Sequence, residues 1–194
     1  MRYEKGHKDA SRRRIMEVAA ESFRRDGIAA TGLAGIMSEA GLTNGAFYPH
    51  FESKADLVRE CIATAMDDQS NKLQMALANG GLAAVLSIYL SPAHRDNPEH
   101  GCVLASLLPE LVRQPLETRK VYAERISNTV RQWAASLPPE TKDREGMALT
   151  LYATLIGALQ LARAVKGTAL SDRILTAASD TARSLAKPQR RRKT

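Results

Sequence analysis

Apolar residues recur along this chain at three- and four-residue intervals, and β-branched or aromatic residues nowhere alternate with polar ones for long, so the pattern predicts helices throughout. Ile15, Val18, Ala19, Ser22 and Phe23 share one face of a first helix, which Arg24 and Arg25 close before Gly27 supplies a left-handed stop. Leu33, Ile36, Met37 and Ala40 repeat the spacing until Gly41 breaks it, ending a second, short helix. Thr43 suits the N-cap of a third, covering Asn44 to Tyr48 and limited by Pro49, whose ring would meet the carbonyl of Gly45. Such a helix is only about 7 Å long at 1.5 Å per residue.

Ser53 followed by Asp56 reads as a capping box that launches a fourth helix, with Leu57, Val58, Cys61, Ile62, Ala65 and Met66 on its buried side. It is expected to run to Ala78 and stop at Asn79, Gly80 and Gly81, with Leu82 to Leu90 forming a fifth. Ser91 to Gly101, rich in polar residues and containing Pro92 and Pro98, is predicted to be a loop. Cys102 to Leu108 suits a sixth helix, perturbed or ended at Pro109. Pro115 suits the first turn of a seventh, striped by Val121, Tyr122, Ile126, Val130 and Trp133 down to Leu137. Gly146 to Val165 and Leu170 to Ala186 complete the set, the last carrying Ile174, Leu175, Ala178, Ala182 and Leu185. The fold class this implies is all-α.

Composition narrows the picture. The 194 residues, 44% hydrophobic and 25% charged, have an ordinary globular balance. The N-terminus is too polar for a signal peptide, and no apolar run approaches the roughly 20 residues of a membrane span, so a cytosolic protein with no membrane partner is expected. Cys61 and Cys102 form no Cys-x-x-Cys pair, which argues against a disulfide framework or a cysteine metal site. The net charge is +7; residues 1–14 carry six basic and two acidic side chains, residues 187–194 five basic and none acidic, so the ends hold +9 and the rest −2. Basicity is thus concentrated in two tails, expected to be flexible: a solvated C-terminal cluster of Arg190, Arg191, Arg192 and Lys193, or a pair of arms for an anionic partner.

Two short helices joined by a glycine turn, the second opened by threonine, have the local anatomy of a helix-turn-helix, which props its second helix in the DNA major groove. Spacing alone is a moderate signal, because helical hairpins that bind nothing also contain glycine. The stretch Thr31 to Leu57, TGLAGIMSEAGLTNGAFYPHFESKADL, goes further: Ile36, the Ala40-Gly41-Leu42 turn, Thr43, the Gly45-Ala46-Phe47-Tyr48 core, His50-Phe51 and Ser53-Lys54 together resemble the TetR family of repressors. The likeness extends back to about Ser11, while the remaining two-thirds agrees only in helix number, order and length.

The resemblance implies an N-terminal three-helix DNA-binding domain over residues 1–54, a larger effector-binding and dimerisation domain over 55–187, and a basic tail over 188–194. The expected DNA-contacting set is Thr31, Ala34, Thr43, Asn44, Gly45, Phe47, Tyr48, His50 and Lys54. Gly45 and Ala46 lack bulk and would let the backbone approach the bases; Thr43 and Asn44 offer hydrogen-bonding groups; Tyr48, His50 and Lys54 suit phosphates. Phe47 and Phe51 read better as core that locks a helix too short to be stable alone. Gly32, Ala34 and Gly35 depart from the family, whose members often carry polar or basic residues there. This departure deprives the second helix of its cap and shifts expected affinity to Arg2, Lys5, Lys8 and Arg12 to Arg14 as an arm reaching the phosphate backbone or minor groove.

For the larger domain, the resemblance implies a small-molecule effector site, with Tyr89, Cys102, Tyr122 and Trp133 as candidates, and a homodimer seam through Leu151, Leu155, Gly157, Ala158, Leu159, Ile174 and Ala178. Cys102, after His100 and Gly101, resembles an element of part of the family and invites an electrophile-sensing alternative; an inert buried thiol is the plainer reading. A ligand-insensitive regulator and a helical interaction protein that binds no DNA are the remaining alternatives. His94, Asp96, Glu99 and His100 match no metal-ligand spacing. No Gly-x-Ser-x-Gly elbow, His-Glu-x-x-His, phosphate-binding glycine loop or dinucleotide fingerprint occurs, so neither catalysis nor a cofactor is expected.

Overall fold

The computed structural model describes residues 2–185, with side chains from Lys8 onward. The Arg190 to Lys193 cluster lies outside them. The described residues form helices and loops without a strand: α1 (Arg2–Asp26), α2 (Leu33–Glu39), a 3-10 turn (Asn44–Ala46), α3 (Lys54–Tyr89), α4 (Pro92–Asp96), a second 3-10 turn (Pro98–His100), α5 (Val103–Leu111), α6 (Leu116–Ala135), α7 (Arg144–Ala164) and α8 (Ala169–Leu185). The chain divides into two compact units, one comprising the part up to Asp67 with Pro98–Tyr122, the other Asp68–Asn97 with the part from Ala123.

The first unit closes on Ile15, Val18, Phe23, Ile36, Met37, Phe47, Phe51, Leu57 and Ile62, all buried as the periodicity predicts. Gly27 (φ +91°) terminates α1 and Gly41 (φ +73°) follows α2, both in the conformation that side chains resist. After α2 the amide of Leu42 donates to Met37 O (2.9 Å) and that of Gly41 to Ser38 O (3.0 Å), a Schellman ending that satisfies the last carbonyls of the helix. The capping box at α3 forms as expected: Ser53 Oγ accepts from the Asp56 amide at 3.1 Å and Asp56 Oδ2 from the Glu52 amide at 3.2 Å. Three expectations change in this unit. The basic N-terminal segment continues α1 back to Arg2 instead of forming a flexible arm. The third helix is a 3-10 turn, not an α-helix to Tyr48, since Pro49 withholds an amide from the next turn. The sixth predicted helix, α5, passes through Pro109 to Leu111, held by the burial of Leu104, Leu107 and Leu111.

In the second unit α3 is broken where expected, with Gly80 and Gly81 leaving helical geometry. The predicted loop after Tyr89 contains the short α4: Ser91 Oγ caps it by accepting from the His94 amide, with Pro92 in the first turn. A Ser-Pro helix start was therefore readable there. Arg95 donates to Ser171 Oγ (2.9 Å) and Asp172 Oδ1 (2.6 Å), Arg163 donates to the carbonyls of His94 and Arg95, and buried Ser171 donates to Ala162 O at 2.7 Å. This network ties α4 to the paired helices α7 and α8. The Arg95 guanidinium and the Lys166 ammonium hold the Asp96 carboxyl at about 2. By length and composition alone α7 could cross a membrane, a test that the core helix of a soluble protein also passes. Ala148, Leu151, Leu155, Leu159 and Ala162 direct that apolarity into the core.

Candidate nucleic-acid interface

The segment from α2 through the 3-10 turn is short, and its rigidity comes from what lies beneath. Phe47 is fully buried, stacks on Phe51 (centroids 5.4 Å apart, planes 29° apart) and meets Tyr48 edge-on at 5.4 Å. The amides of His50 and Phe51 both donate to Phe47 O, at 2.9 and 3.2 Å, carrying the chain round Pro49 into α3. Arg12 of α1 lies over the Phe51 ring (4.9 Å) and pairs with Glu60, covering the aromatic pair from the other side. Above this support Thr43, Asn44 and Gly45 are exposed, and Tyr48 presents 70% of its surface to solvent.

A Cβ on Gly45 would meet nothing within 4 Å, and its φ is not positive, so nothing inside the protein requires glycine there. The small residue leaves an open approach to the backbone, which suits a surface pressed against base edges. Thr43 occupies the N-cap position, but its hydroxyl makes no capping bond. Only its carbonyl is used, accepting from the Ala46 amide at 3.0 Å. His50 is half-buried with Nδ1 enclosed and unpartnered; burial first, then the nearby Lys8 and Arg12 charges, lowers its pKa, with Asp9 opposing.

Three members of the expected contact set are buried or have partners within the protein. Thr31 is buried, its hydroxyl donating to Gly27 O (2.6 Å) to brace the α1–α2 turn. Phe47 is core, and no part of its ring reaches solvent. Lys54 gives one of the three N–H donors of its ammonium to Ile28 O, at 2.6 Å. Ala34 is exposed, and α2 lacks a side-chain cap at Gly32, as its sequence foretells. Of the expected arm, Arg12 is committed to Glu60 and Phe51, while Lys8, Arg13 and Arg14 are exposed on the helix. The side chains of Arg2 and Lys5 lie outside the described set.

Glu110 was not anticipated. Its carboxylate accepts from the amides of Ile28 (3.1 Å) and Ala29 (2.9 Å), the turn that joins α1 to α2. Nothing local in the sequence marks it, because both partners are backbone groups more than 80 residues away.

The candidate effector residues are all buried but are not brought together within one unit: Cys102 and Tyr122 belong to the first, Tyr89 and Trp133 to the second. Tyr89 packs edge-on against His94 (4.8 Å) and Trp133 against Tyr152 (5.6 Å). Burial pushes the Cys61 thiol up to about 12. Among the described residues no cluster of potential metal ligands occurs. In the expected dimer seam, Leu151, Leu155, Ala158 and Leu159 are buried inside the single chain. Gly157, Ile174 and Ala178 are half-buried. The outward stripe of α7 runs instead through Leu149, Ala153, Gly157 and Leu161, with Leu161 61% exposed and open space where Gly157 would carry a side chain.

An exposed polar turn held on a buried aromatic pair, directly after a short helix and a glycine corner, defines the class: a helix-turn-helix regulator on an all-helical scaffold. Residues 15–61 match the family described as bacterial regulatory proteins, tetR family. The chain is 31% identical over 86 residues to the regulator YfiR of Bacillus subtilis, covering 44% of this chain and 42% of that protein. It is 25% identical over 138 residues to the repressor KstR2 of Rhodococcus jostii, covering 70% and 68%. The likeness to YfiR thus spans less than half of that protein's length. Reduced NemR of E. coli superposes with a TM-score of 0.78 at 17% identity, covering 93% of this chain and all of that one. A TetR-family regulator from Cytophaga hutchinsonii gives 0.77 at 22%, covering 94% and 98%. At such identities these two likenesses speak for the fold. Residues 15–61 thus resemble the tetR family of bacterial regulatory proteins, and the fold is one shared with TetR-family regulators of known structure.

Proposed function

We propose that this protein is a homodimeric repressor that binds a palindromic DNA operator from the cytosol and leaves it when a small molecule binds. The observation that carries this reading is the exposed Thr43-Asn44-Gly45 and Tyr48 surface mounted on buried Phe47 and Phe51. Asn44 and Thr43 supply donors and acceptors for base edges or phosphates, Gly45 supplies clearance, and Tyr48 and His50 supply groups for the phosphate backbone. Two such surfaces about 34 Å apart would read half-sites one DNA turn apart. The apolar α7 stripe through Leu149, Gly157 and Leu161 supports a helical seam between two copies.

Release follows from population shift. An effector that prefers a wider-spaced arrangement lowers operator affinity by its differential affinity for the two states, typically ~1–3 kcal/mol. Helix α3 begins beside the DNA-reading turn and continues without a chain break into the second unit, which makes it a natural lever.

The test is a gel shift on DNA upstream of the protein's own gene, with and without a metabolite extract of the host cell. Retardation that the extract relieves, and that Asn44→Ala abolishes, is expected. Indifference to both Asn44→Ala and Tyr48→Ala would instead favour a helical interaction protein.

A further inference from the structure

We infer that Glu110 is a positioning residue for DNA reading: its carboxylate, at the end of α5, fixes the turn that aims α2 and the 3-10 turn. The inference rests on the DNA-binding reading above. Four observations converge on this turn. Glu110 Oε1 and Oε2 accept from the successive amides of Ile28 and Ala29 at 3.1 and 2.9 Å. Lys54 Nζ donates to the carbonyl of the same Ile28 at 2.6 Å. Gly27 turns the chain at φ +91°, and a Cβ there would stand 2.9 Å from Glu110 Oε1, so glycine both permits the turn and admits the carboxylate. Thr31 closes the turn by donating to Gly27 O.

The Ile28–Ala29 peptide unit is therefore bracketed, its N–H (of Ala29) by the Glu110 carboxylate and its C=O (of Ile28) by the Lys54 ammonium. An ionised partner makes each of these bonds stronger and more directional than a neutral one. The segment that contains α5 is thus fastened at both ends: the Arg24 side chain of α1 donates to Glu99 O just before α5 begins, and Glu110 in its last turn holds the turn that follows α1. Glu110 also walls a cleft of about 310 Å³ with Lys54, Arg113 and Gln114, so solvent can reach the bracket and replace it when α5 shifts. Helix α5 thus forms a second route into the DNA-reading segment, separate from α3. It acts on the entry to α2, whereas α3 acts on the exit from the 3-10 turn.

The test uses the full chain and a duplex enriched by the wild-type protein from a random-sequence library, alongside a scrambled duplex of equal length. Glu110→Gln keeps the shape but loses the charge and one acceptor; Glu110→Asp keeps the charge. Expected for Glu110→Gln are faster hydrogen exchange at the Ile28 and Ala29 amides, affinity for the enriched duplex lower by about tenfold, the effect of losing one charge-assisted hydrogen bond, and a smaller ratio of enriched to scrambled binding. The dependence of affinity on salt should stay unchanged, since no phosphate contact is removed. Glu110→Asp should recover part of the ratio. A purely structural role would lower the melting temperature yet leave the binding ratio intact, and that result overturns the inference, as does unaltered exchange at the two amides. If the wild type itself enriches no sequence, the DNA-binding reading fails and the inference falls with it, a result seen before any variant is made.

Discussion

Two glycines with left-handed backbones make a controlled pair, because only one of them faces another side chain. Gly41 (φ +73°) has open space where a Cβ would lie, whereas a Cβ on Gly27 (φ +91°) would stand 2.9 Å from Glu110 Oε1. Placing alanine in the left-handed region costs about 1–2 kcal/mol, and the stiffer unfolded chain returns about 0.4–1 kcal/mol. Gly41→Ala should therefore cost roughly 1 kcal/mol. Gly27→Ala carries the same strain and in addition crowds Glu110 Oε1, which accepts from the Ile28 amide. Net values of about 1.5–3 kcal/mol apply to hydrogen bonds with charged groups, and Glu110 is only half-buried, so water recovers much of the loss. An added cost of about 1–2 kcal/mol is reasonable. The total, roughly 2–3 kcal/mol, corresponds to a drop in melting temperature of about 4–12 °C for a chain of this size, against about 2–4 °C for Gly41→Ala.

Urea unfolding of both variants, repeated in a Glu110→Ala background, separates the two contributions. With the carboxylate gone, Gly27→Ala should cost no more than Gly41→Ala. Equal costs in the wild-type background would refute the reasoning, because they would mean that the carboxylate moves aside without loss and the contact carries no energy.

Other expectations follow from the site itself. Because Lys54 donates to Ile28 O, Lys54→Met should weaken DNA binding without changing its salt dependence; a slope reduced by about 1 per subunit would restore Lys54 as a phosphate contact. Gly45→Ala should leave the urea midpoint unchanged, since its Cβ would meet nothing, while weakening operator binding in a titration; undiminished affinity would remove Gly45 from the interface. His50 and His94 both have lowered pKa values, chiefly from burial. A histidine whose folded pKa lies below its unfolded value of about 6.5 resists protonation only when folded, so stability should fall as pH drops below about 6.5. His94→Gln should flatten that dependence in thermal melts, and a curve of undiminished steepness would exclude His94 as a source.

What the sequence disclosed was the physics carried by neighbours. The Ser53–Asp56 capping box, the stops at Gly27, Gly41 and Gly80–Gly81, and the buried faces of α1 and α3 all depend on residues a few positions apart, and each appears as read. What the sequence could not disclose lies where a side chain's partner is remote or backbone. Thr31 and Lys54 have the chemistry of DNA contacts, yet each finds a carbonyl of the α1–α2 turn, and nothing near them in sequence distinguishes the two fates. Helix α7 is apolar around most of its circumference, so its pattern could not tell the buried side, with Leu151, Leu155 and Leu159, from the exposed side, with Leu149 and Leu161. Continuation of α1 to Arg2 was hidden for the opposite reason, since a polar stretch offers no periodicity to read.

The 3-10 turn that presents Asn44 and Gly45 makes too few internal hydrogen bonds to hold itself, so the aim of the DNA-reading surface is set by its two supports, the aromatic pair beneath and the bracketed turn before α2. Of these, the aromatic pair cannot serve as a switch: uncovering Phe47 and Phe51 would cost several kcal/mol, on the order of the 3–5 found for removing a buried phenylalanine, a large part of the stability of an ordinary domain. The Ile28–Ala29 bracket is cheaper to open, because its carboxylate borders a cleft and its amides can turn to water. Its net worth of about 1–2 kcal/mol after the discount for water lies within the ~1–3 kcal/mol that couples effector to operator in allosteric proteins. On the proposed reading, a shift of α5 that breaks these two hydrogen bonds is of the size that release requires, and it leaves the aromatic support, and with it the folded DNA-reading segment, intact.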